Sequence, residues 1–79
     1  MLIAPPLVLE QGTFREGLLG AHEKSRDLPF AIAQLADHWG VDFLDAGAHI
    51  KPSPLDGVHF EAEDHVTLGH AVAAKIEAM

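Results

Sequence analysis

The sequence predicts an α/β protein with the element order strand, helix, strand, helix and a parallel sheet. A short apolar run at 1–4 ends at two prolines, and apolar residues with a helical period occupy 21–39. A second strand pattern at 41–45 follows after a single glycine, and a helix that connects two neighbouring strands makes them parallel. A last helical pattern at 61–79 closes the chain.

Composition and charge restrict the classes of function. The chain has 79 residues, of which 48% are hydrophobic and 22% charged, as in one globular domain. Its net charge of −7, with five Lys plus Arg, argues against binding to nucleic acid or to an anionic membrane surface. It contains no cysteine for disulfides or zinc ligation. No segment has the pattern of a signal peptide or a membrane span, so a cytoplasmic location is only the default.

The first strand and the segment after it are predicted to form one end of the sheet. The strand covers 1–4, and Pro5 and Pro6 take the chain out of the sheet. The glycine-containing segment 7–20 is predicted to be a loop with one short helical turn. Loops that follow strand C-termini build the ligand sites of parallel sheets, so this loop either lines a substrate pocket or is a mobile surface connection.

The first helix is predicted to pack through an apolar stripe and to stop at Gly40. Two starts are compatible with Pro29: an N-cap at Asp27 with Pro29 in the first turn, or an earlier start with a kink at the proline. We expect Trp39 to be a core or rim residue rather than a ligand platform. The stripe consists of Leu28, Ile32, Leu35, Ala36 and Trp39.

The second strand and the last helix complete the unit. Asp45 ends the strand at 41–45, where it is expected to begin a Gly-containing turn, although such strand ends also carry functional groups. The last helix has acidic residues at its start and Lys75 near its end, which suits the helix dipole. Gly69 is predicted to allow close packing against the sheet. The predicted inward face is Val66, Gly69, Val72, Ala73 and Ile76.

Asp56 and His59 lie three residues apart in the long loop at 47–60, before the last helix. Gly57 allows a tight turn between them. An aspartate held against one imidazole nitrogen fixes the tautomer of a general-base histidine and stabilises its protonated form. On spacing alone, the alternative is a turn aspartate beside an incidental surface histidine.

Several stretches resemble the C-terminal part of the SGNH, or GDSL-type, esterase and lipase family. The most specific is Asp56-Gly57-Val58-His59, which resembles the Asp-x-x-His block that carries the Asp and His of a Ser-His-Asp triad in that family. The wider stretches are Val41-Asp42-Phe43-Leu44-Asp45-Ala46, Ser53-Pro54-Leu55 before the block, Phe60 after it, His65-x-x-Leu68-Gly69-His70-Ala71-Val72-Ala73, and the opening Met1-Leu2-Ile3-Ala4-Pro5-Pro6.

The resemblance implies a flavodoxin-like αβα sandwich, with 1–79 as the C-terminal β-α-β-α portion of one esterase domain. It implies carboxylic ester hydrolysis through an acyl-enzyme, with Asp56 and His59 as catalytic residues and no metal or organic cofactor. The implied substrates are small-molecule esters with short-chain acyl, aryl or acetylated-sugar groups. The family's nucleophile block, oxyanion-hole glycine and Gly-x-Asn-Asp block would all precede Met1, so we expect the chain to be inactive alone.

Ser25 and Ser53 are the serines that the chain itself offers as nucleophiles. Ser25 lacks a glycine-rich elbow, and Ser53 precedes a proline on the histidine loop, so neither has the strand-to-helix turn that exposes a catalytic serine. Ser53 is therefore interpreted as a turn residue.

Two other functions stay open. The first is zinc or nickel binding, although His65 and His70, five residues apart on a helix, would not share a face. The second is a non-catalytic, truncated α/β module that pairs with another chain or with itself through an open sheet edge. The metal hypothesis would use His59, His65 and His70 with Asp56 and Glu61.

Overall fold

The chain forms a β-α-β-α unit, in the order that the sequence predicts. The structure is a computed structural model that describes residues 1–13 and 15–79. Strand β1 (Leu2–Ala4), helix α1 (Ala21–Trp39), strand β2 (Phe43–Asp45) and helix α2 (Ala62–Ala78) follow one another. The predicted α/β class with a parallel sheet is confirmed.

The sheet consists of β1 paired with β2 in parallel. Leu2 lies opposite Phe43, and Ala4 lies opposite Asp45. β2 begins two residues later than predicted because the Val41 amide donates to the Ala36 carbonyl oxygen at 3.0 Å and so caps α1. In the part of the chain that the structure describes, the sheet has two strands, and the outer edge of β1 therefore carries unpaired backbone groups.

Helix α1 has the predicted bounds and contains Pro29 in its interior. The earlier of the two possible starts is therefore correct, and the proline nitrogen has no proton to donate to the Ser25 carbonyl. The helix ends at Gly40, whose amide donates to the Asp37 carbonyl oxygen at 3.2 Å. Ser25 and Ala36 are the buried residues of α1.

The apolar stripe of α1 is only partly packed. Ala36 is 1% exposed and Ile32 is half-buried, but Leu35 is 49% and Trp39 is 70% exposed. The Trp39 ring meets the His38 ring edge-on, with centroids 5.2 Å apart. The prediction of Trp39 as a core or rim residue is wrong, because the stripe is wider than the surface that two strands cover.

Among the described residues, helix α2 buries no side chain completely, and its half-buried residues lie mostly on a different face from the predicted one. Val66 and Ile76 are 60% and 57% exposed. No atom of another residue lies within 4 Å of where a β-carbon on Gly69 would sit, so close packing does not explain that glycine. At about 100° per residue, the half-buried face is rotated by about a third of a turn from the predicted one. It consists of Asp64, Leu68, Ala71, Val72 and Lys75, all half-buried.

The hydrophobic core is small and lies around the C-terminal ends of the strands. The molecule is flat, with extents of 39 × 27 × 13 Å. A thin body of this kind leaves apolar side chains of both helices uncovered. Among the described residues, neither helix has the length and apolarity that crossing a bilayer requires. The buried hydrophobic residues are Ala4, Ala36, Leu44, Ala46 and Ile50.

Candidate active site

Asp56 and His59 form a hydrogen-bonded pair in the loop before α2. Oδ1 of Asp56 accepts the backbone N–H groups of Val58 and His59, both at 2.8 Å. Oδ2 lies 2.6 Å from Nδ1 of His59. A carboxylate oxygen only accepts, so the contact requires a proton on Nδ1. The loop thus brings together the two residues that the sequence singled out.

The same contacts keep Asp56 ionised. The backbone N–H of Val58, then the His59 side chain and the His59 N–H, lower the pKa of Asp56 from 3.8 to about 2. Hydrogen bonds to the charged form of a carboxyl favour that form. Asp56 is therefore a fixed negative charge at any pH near neutrality.

The His59 ring is held at one nitrogen and open at the other. Its side chain is 77% exposed, against 19% for the Asp56 side chain. With the proton on Nδ1, the neutral ring has a free electron pair at Nε2. A shallow depression of about 330 Å³ borders the ring, lined by Val58, His59, Phe60 and His65. Chemically, the pair can accept a proton at Nε2 and stabilise the resulting imidazolium.

The segment that follows β1 lies against the histidine loop. The Leu9 amide donates to the Gly57 carbonyl oxygen at 2.9 Å, and the Thr13 amide donates to the Leu55 carbonyl oxygen at 2.9 Å. The sequence left open whether 7–20 lines a substrate pocket or is a mobile surface connection. The structure shows that Leu9 and Thr13 of this segment are hydrogen-bonded to the loop that carries Asp56 and His59. The segment includes the predicted short helical turn, a 3₁₀ turn at Arg15–Leu18, whereas Phe14 lies outside the described residues.

Two glycines permit this close approach. A β-carbon on Gly57, where φ is 77°, would lie 1.9 Å from the Leu9 carbonyl oxygen. A β-carbon on Gly12, where φ is 82°, would lie 2.1 Å from the Leu55 carbonyl oxygen. Both separations are too short for any side chain, so both positions require glycine. The loops therefore interlock through their backbones.

Helix α1 holds the segment after β1 through hydrogen bonds to Val8, and sequence analysis missed this contact. The Val8 amide donates to Oγ of Ser25 at 2.9 Å, and His22 Nδ1 donates to the Val8 carbonyl oxygen at 2.7 Å. Ser25 Oγ also donates to the His22 carbonyl oxygen. A polar i, i+3 pair on a helix otherwise facing an apolar sheet was the available signal.

Neither serine hydroxyl contacts His59. Ser25 is 9% exposed and holds Val8, as described above. Ser53 is 6% exposed, donates from Oγ to the Glu61 carboxylate, and accepts the Leu55 amide at 3.1 Å. The last contact is a serine turn, which agrees with the interpretation of Ser53 as a turn residue. Both hydroxyls are engaged elsewhere in the fold.

The remaining predicted ligands and turns are also placed by the structure. Across residues 1–13 and 15–79, no three His, Asp or Glu side chains converge as metal ligands would. The His65 ring instead stacks obliquely on Phe60, with centroids 5.2 Å apart. Asp45 begins a turn as expected, since its Oδ1 accepts the Gly47 amide at 3.0 Å.

Solved esterase structures superpose on the chain. A carbohydrate acetylesterase from Sinorhizobium meliloti is 38% identical and superposes with a TM-score of 0.86 over 96% of this chain and 36% of the esterase chain. The native aryl esterase of M. smegmatis is 28% identical, with a TM-score of 0.84 over 96% of this chain and 36% of its own. No family model and no curated protein matches the sequence.

The class of fold follows from these superpositions. The chain has part of the αβα fold of an esterase, with two parallel strands and two helices. The structures that it resembles are a carbohydrate acetylesterase and an aryl esterase. The chain spans 36% of the length of each of these two esterases.

Proposed function

We propose that this chain is the C-terminal portion of a single SGNH-type carboxylic ester hydrolase domain and supplies Asp56 and His59 of its Ser-His-Asp triad. The observation that carries the proposal is the 2.6 Å contact between His59 Nδ1 and Asp56 Oδ2, with the rest of the His59 ring open to solvent. The likeness to a 38% identical carbohydrate acetylesterase supports it independently.

In the proposed mechanism, His59 acts at Nε2 as a general base and then as a general acid. It takes the proton of a serine hydroxyl while the serine oxygen attacks the ester carbonyl carbon. It then gives that proton to the departing alcohol, which leaves an acyl-enzyme. Water then loses a proton to the same nitrogen and attacks the acyl carbon, and the serine oxygen leaves with that proton as the acid is released. Asp56 orients the ring and stabilises the imidazolium in both halves of the reaction.

The proposed substrates are small esters with short-chain acyl, aryl or acetylated-sugar groups. The activities of the two superposed enzymes, carbohydrate acetylesterase and aryl esterase, favour this class. The depression beside His59 is lined by Val58 and Phe60 and suits the apolar part of such an ester. No cofactor is needed, because a triad activates its serine with a base alone.

The proposal requires a nucleophile and oxyanion donors from elsewhere in the domain. The exposed side of α1 indicates where the rest of that domain would pack. Arg26, Phe30 and Ala33 share a crevice with Phe43, so that side of the helix faces β2. Leu35 and Trp39 lie roughly 140–180° around the helix from Phe30, away from β2. We propose that further strands and helices continue the sheet beyond β1 and cover Leu28, Leu35 and Trp39.

A chimeric enzyme tests the catalytic role. Residues 1–79 replace the region of the S. meliloti carbohydrate acetylesterase that superposes on them, and hydrolysis of 4-nitrophenyl acetate is measured. We expect turnover, and we expect His59→Ala to lower kcat/KM by about 10²–10⁴. His70→Ala is the matched control, because it removes another exposed imidazole that does not line the depression beside His59. Equal activity of the chimera and its His59→Ala variant would sink the proposal.

Active-site labelling in the native source tests the same proposal without engineering. A fluorophosphonate probe labels reactive serines, and peptide mapping shows which labelled bands contain sequence from this chain. We expect these peptides in a labelled band well above 8.5 kDa. Labelling of an 8.5 kDa species would instead mean that Ser25 or Ser53 is the reactive serine.

The second candidate is a non-catalytic module that pairs with itself or with another chain. The observation that favours it is the unpaired edge of β1 next to exposed Leu35 and Trp39. This alternative predicts that the source contains an 8.5 kDa protein that the fluorophosphonate probe does not label. It also predicts that the mass of the purified chain, measured by sedimentation, increases with protein concentration.

A further inference from the structure

Ser53 is a buried residue that makes four hydrogen bonds in and around the histidine loop, two through its hydroxyl and two through its backbone. Its Oγ donates to the Glu61 carboxylate and accepts the Leu55 amide at 3.1 Å. Its backbone N–H donates to the His59 carbonyl oxygen at 2.7 Å, and its own carbonyl oxygen accepts the Gly57 amide at 2.8 Å. One residue thus contacts the beginning, the middle and the end of the loop that carries Asp56 and His59.

Glu61 connects this loop to α2. Its side chain accepts from Ser53 Oγ, and its carbonyl oxygen accepts the amides of Asp64 and His65 at 3.0 and 3.2 Å, which starts the helix. The Glu61 residue is exposed, whereas Ser53 is 6% exposed. The serine hydroxyl is therefore the buried link between the loop and the first turn of α2.

The position of the exposed His59 ring depends on the backbone from Ser53 to His59. A ring that is 77% exposed has few packing contacts to hold it, and water competes for its hydrogen bonds. Its place against Asp56 is therefore decided by the course of the backbone from Ser53 to His59. The two amides that hold Oδ1 of Asp56 belong to the same segment.

We infer that Ser53 and Glu61 are positioning residues, which hold the Asp56–His59 pair in the geometry needed for proton transfer. The inference rests on the proposed function. In this inference Ser53 supports two members of the triad and is not itself the nucleophile. A side chain that preorganises a catalytic group acts through that group and touches no reacting atom.

The test measures the tautomer of His59 in the full 79-residue chain by ¹⁵N NMR, above the pH at which imidazoles are protonated. A ring held by Asp56 carries its proton on Nδ1, whereas a released ring also populates the Nε2–H form. We expect Ser53→Ala and Glu61→Ala each to lower the ratio of Nδ1–H to Nε2–H by about fivefold, the effect of losing one ordinary hydrogen bond. His59→Gln assigns the signals.

Matched variants separate positioning from general damage. Thr67→Ala removes a side-chain hydroxyl that bonds within α2, to the Glu63 carbonyl oxygen at 3.1 Å, and it should leave the His59 ratio unchanged. Ser53→Thr keeps a hydroxyl at the same place and should restore most of the ratio. If Ser53→Ala fails to fold, the exposed Glu61→Ala variant decides the question.

The outcomes distinguish this inference from the proposed function. Wild-type His59 tautomer ratios in both Ser53→Ala and Glu61→Ala would overturn the positioning role. In that case, a shifted ratio in Asp56→Asn would still support the contact between Asp56 and His59 on which the proposed function rests. A wild-type chain in which His59 shows no excess of the Nδ1–H form would overturn both. A lowered ratio in the two variants, restored by Ser53→Thr, supports the inference.

Discussion

The carbonyl oxygen of Leu9 lies where a side chain on Gly57 would begin. A β-carbon at Gly57 would be 1.9 Å from that oxygen, and the Leu9 amide donates back to the Gly57 carbonyl oxygen at 2.9 Å. The segment after β1 and the histidine loop are therefore in backbone contact. Because Gly57 lies between Asp56 and His59, this contact bears directly on the candidate catalytic pair.

Replacing Gly57 by alanine should destabilise the chain. The new methyl group would meet the Leu9 carbonyl, and a φ of 77° is strained for any residue with a β-carbon. Strain of this kind costs about 1–3 kcal/mol before the clash is counted. Urea unfolding followed by circular dichroism measures the change.

Gly69→Ala is the matched control, and its effect should have the opposite sign. Gly69 lies in α2 with no other residue within 4 Å of a β-carbon, so alanine should stabilise the helix by about 0.5–1 kcal/mol. Equal stability of the two variants would contradict the interlocked arrangement of the loops.

The Asp56 carboxyl should contribute to stability in a pH-dependent way. Its pKa is about 2 in the folded chain, below the 3.8 of an unperturbed group, so protons bind the unfolded chain more tightly. The stabilisation is complete above pH about 5, falls as the pH drops through about 4, and is lost below about 2. A ¹³C NMR titration of the Asp56 carboxyl measures the pKa directly.

Acid unfolding of two aspartate variants checks the source of this effect. Asp56→Asn should remove the contribution of Asp56 to the pH dependence of stability between about pH 4 and 2, since an amide does not titrate there. Asp27→Asn, at an exposed position of α1, should keep the wild-type dependence. An Asp56 titration midpoint near the ordinary value would contradict the hydrogen-bonded geometry.

In the acetylesterase chimera, Asp56→Asn should reduce catalysis while leaving the enzyme folded. The asparagine amide cannot fix the Nδ1–H tautomer or stabilise the imidazolium as a carboxylate does, so we expect kcat/KM to fall by about 10²–10⁴. Asp27→Asn again serves as the control. Activity within twofold of the parent chimera would mean that Asp56 has no part in the reaction.

The exposed side of α1 should become buried when the domain is complete. Leu35 is 49% exposed here and lies about 140° around the helix from Phe30, which shares a crevice with Phe43 of β2. In the chimera, we expect Leu35→Asp to reduce stability by about 2–3 kcal/mol, because a carboxylate would lie against apolar surface. In the isolated chain the same change should alter stability by less than about 0.5 kcal/mol.

Gln34→Asp provides the comparison for this pair of measurements. Gln34 is an exposed neighbour on the same helix, so it controls for the added charge and the helix propensity of aspartate. We expect it to have a small effect in both proteins. A Leu35→Asp effect that is equally small in the chimera would mean that the rest of the domain does not cover this surface.

Local sequence determined the order of elements and the Asp56–His59 contact. The bounds of α1 and the stop at Gly40 follow from helical periodicity and a C-terminal glycine, both of which act over a few residues. Asp56 and His59 meet because a turn closes over three residues, so the contact needs no distant partner. Each of these features is local in the chain, and a sequence states local features directly.

Tertiary structure alone decided which helix faces are covered and what supports the histidine loop. The sequence of α2 is apolar on more than one side, and periodicity cannot tell which side is turned toward the rest of the chain, so the predicted face was wrong. Trp39 is exposed for another tertiary reason, because the apolar stripe of α1 is wider than the surface that the two strands cover. The contact between Gly57 and Leu9 joins residues far apart in the chain. Such contacts depend on how the backbone returns to itself, which no local pattern encodes.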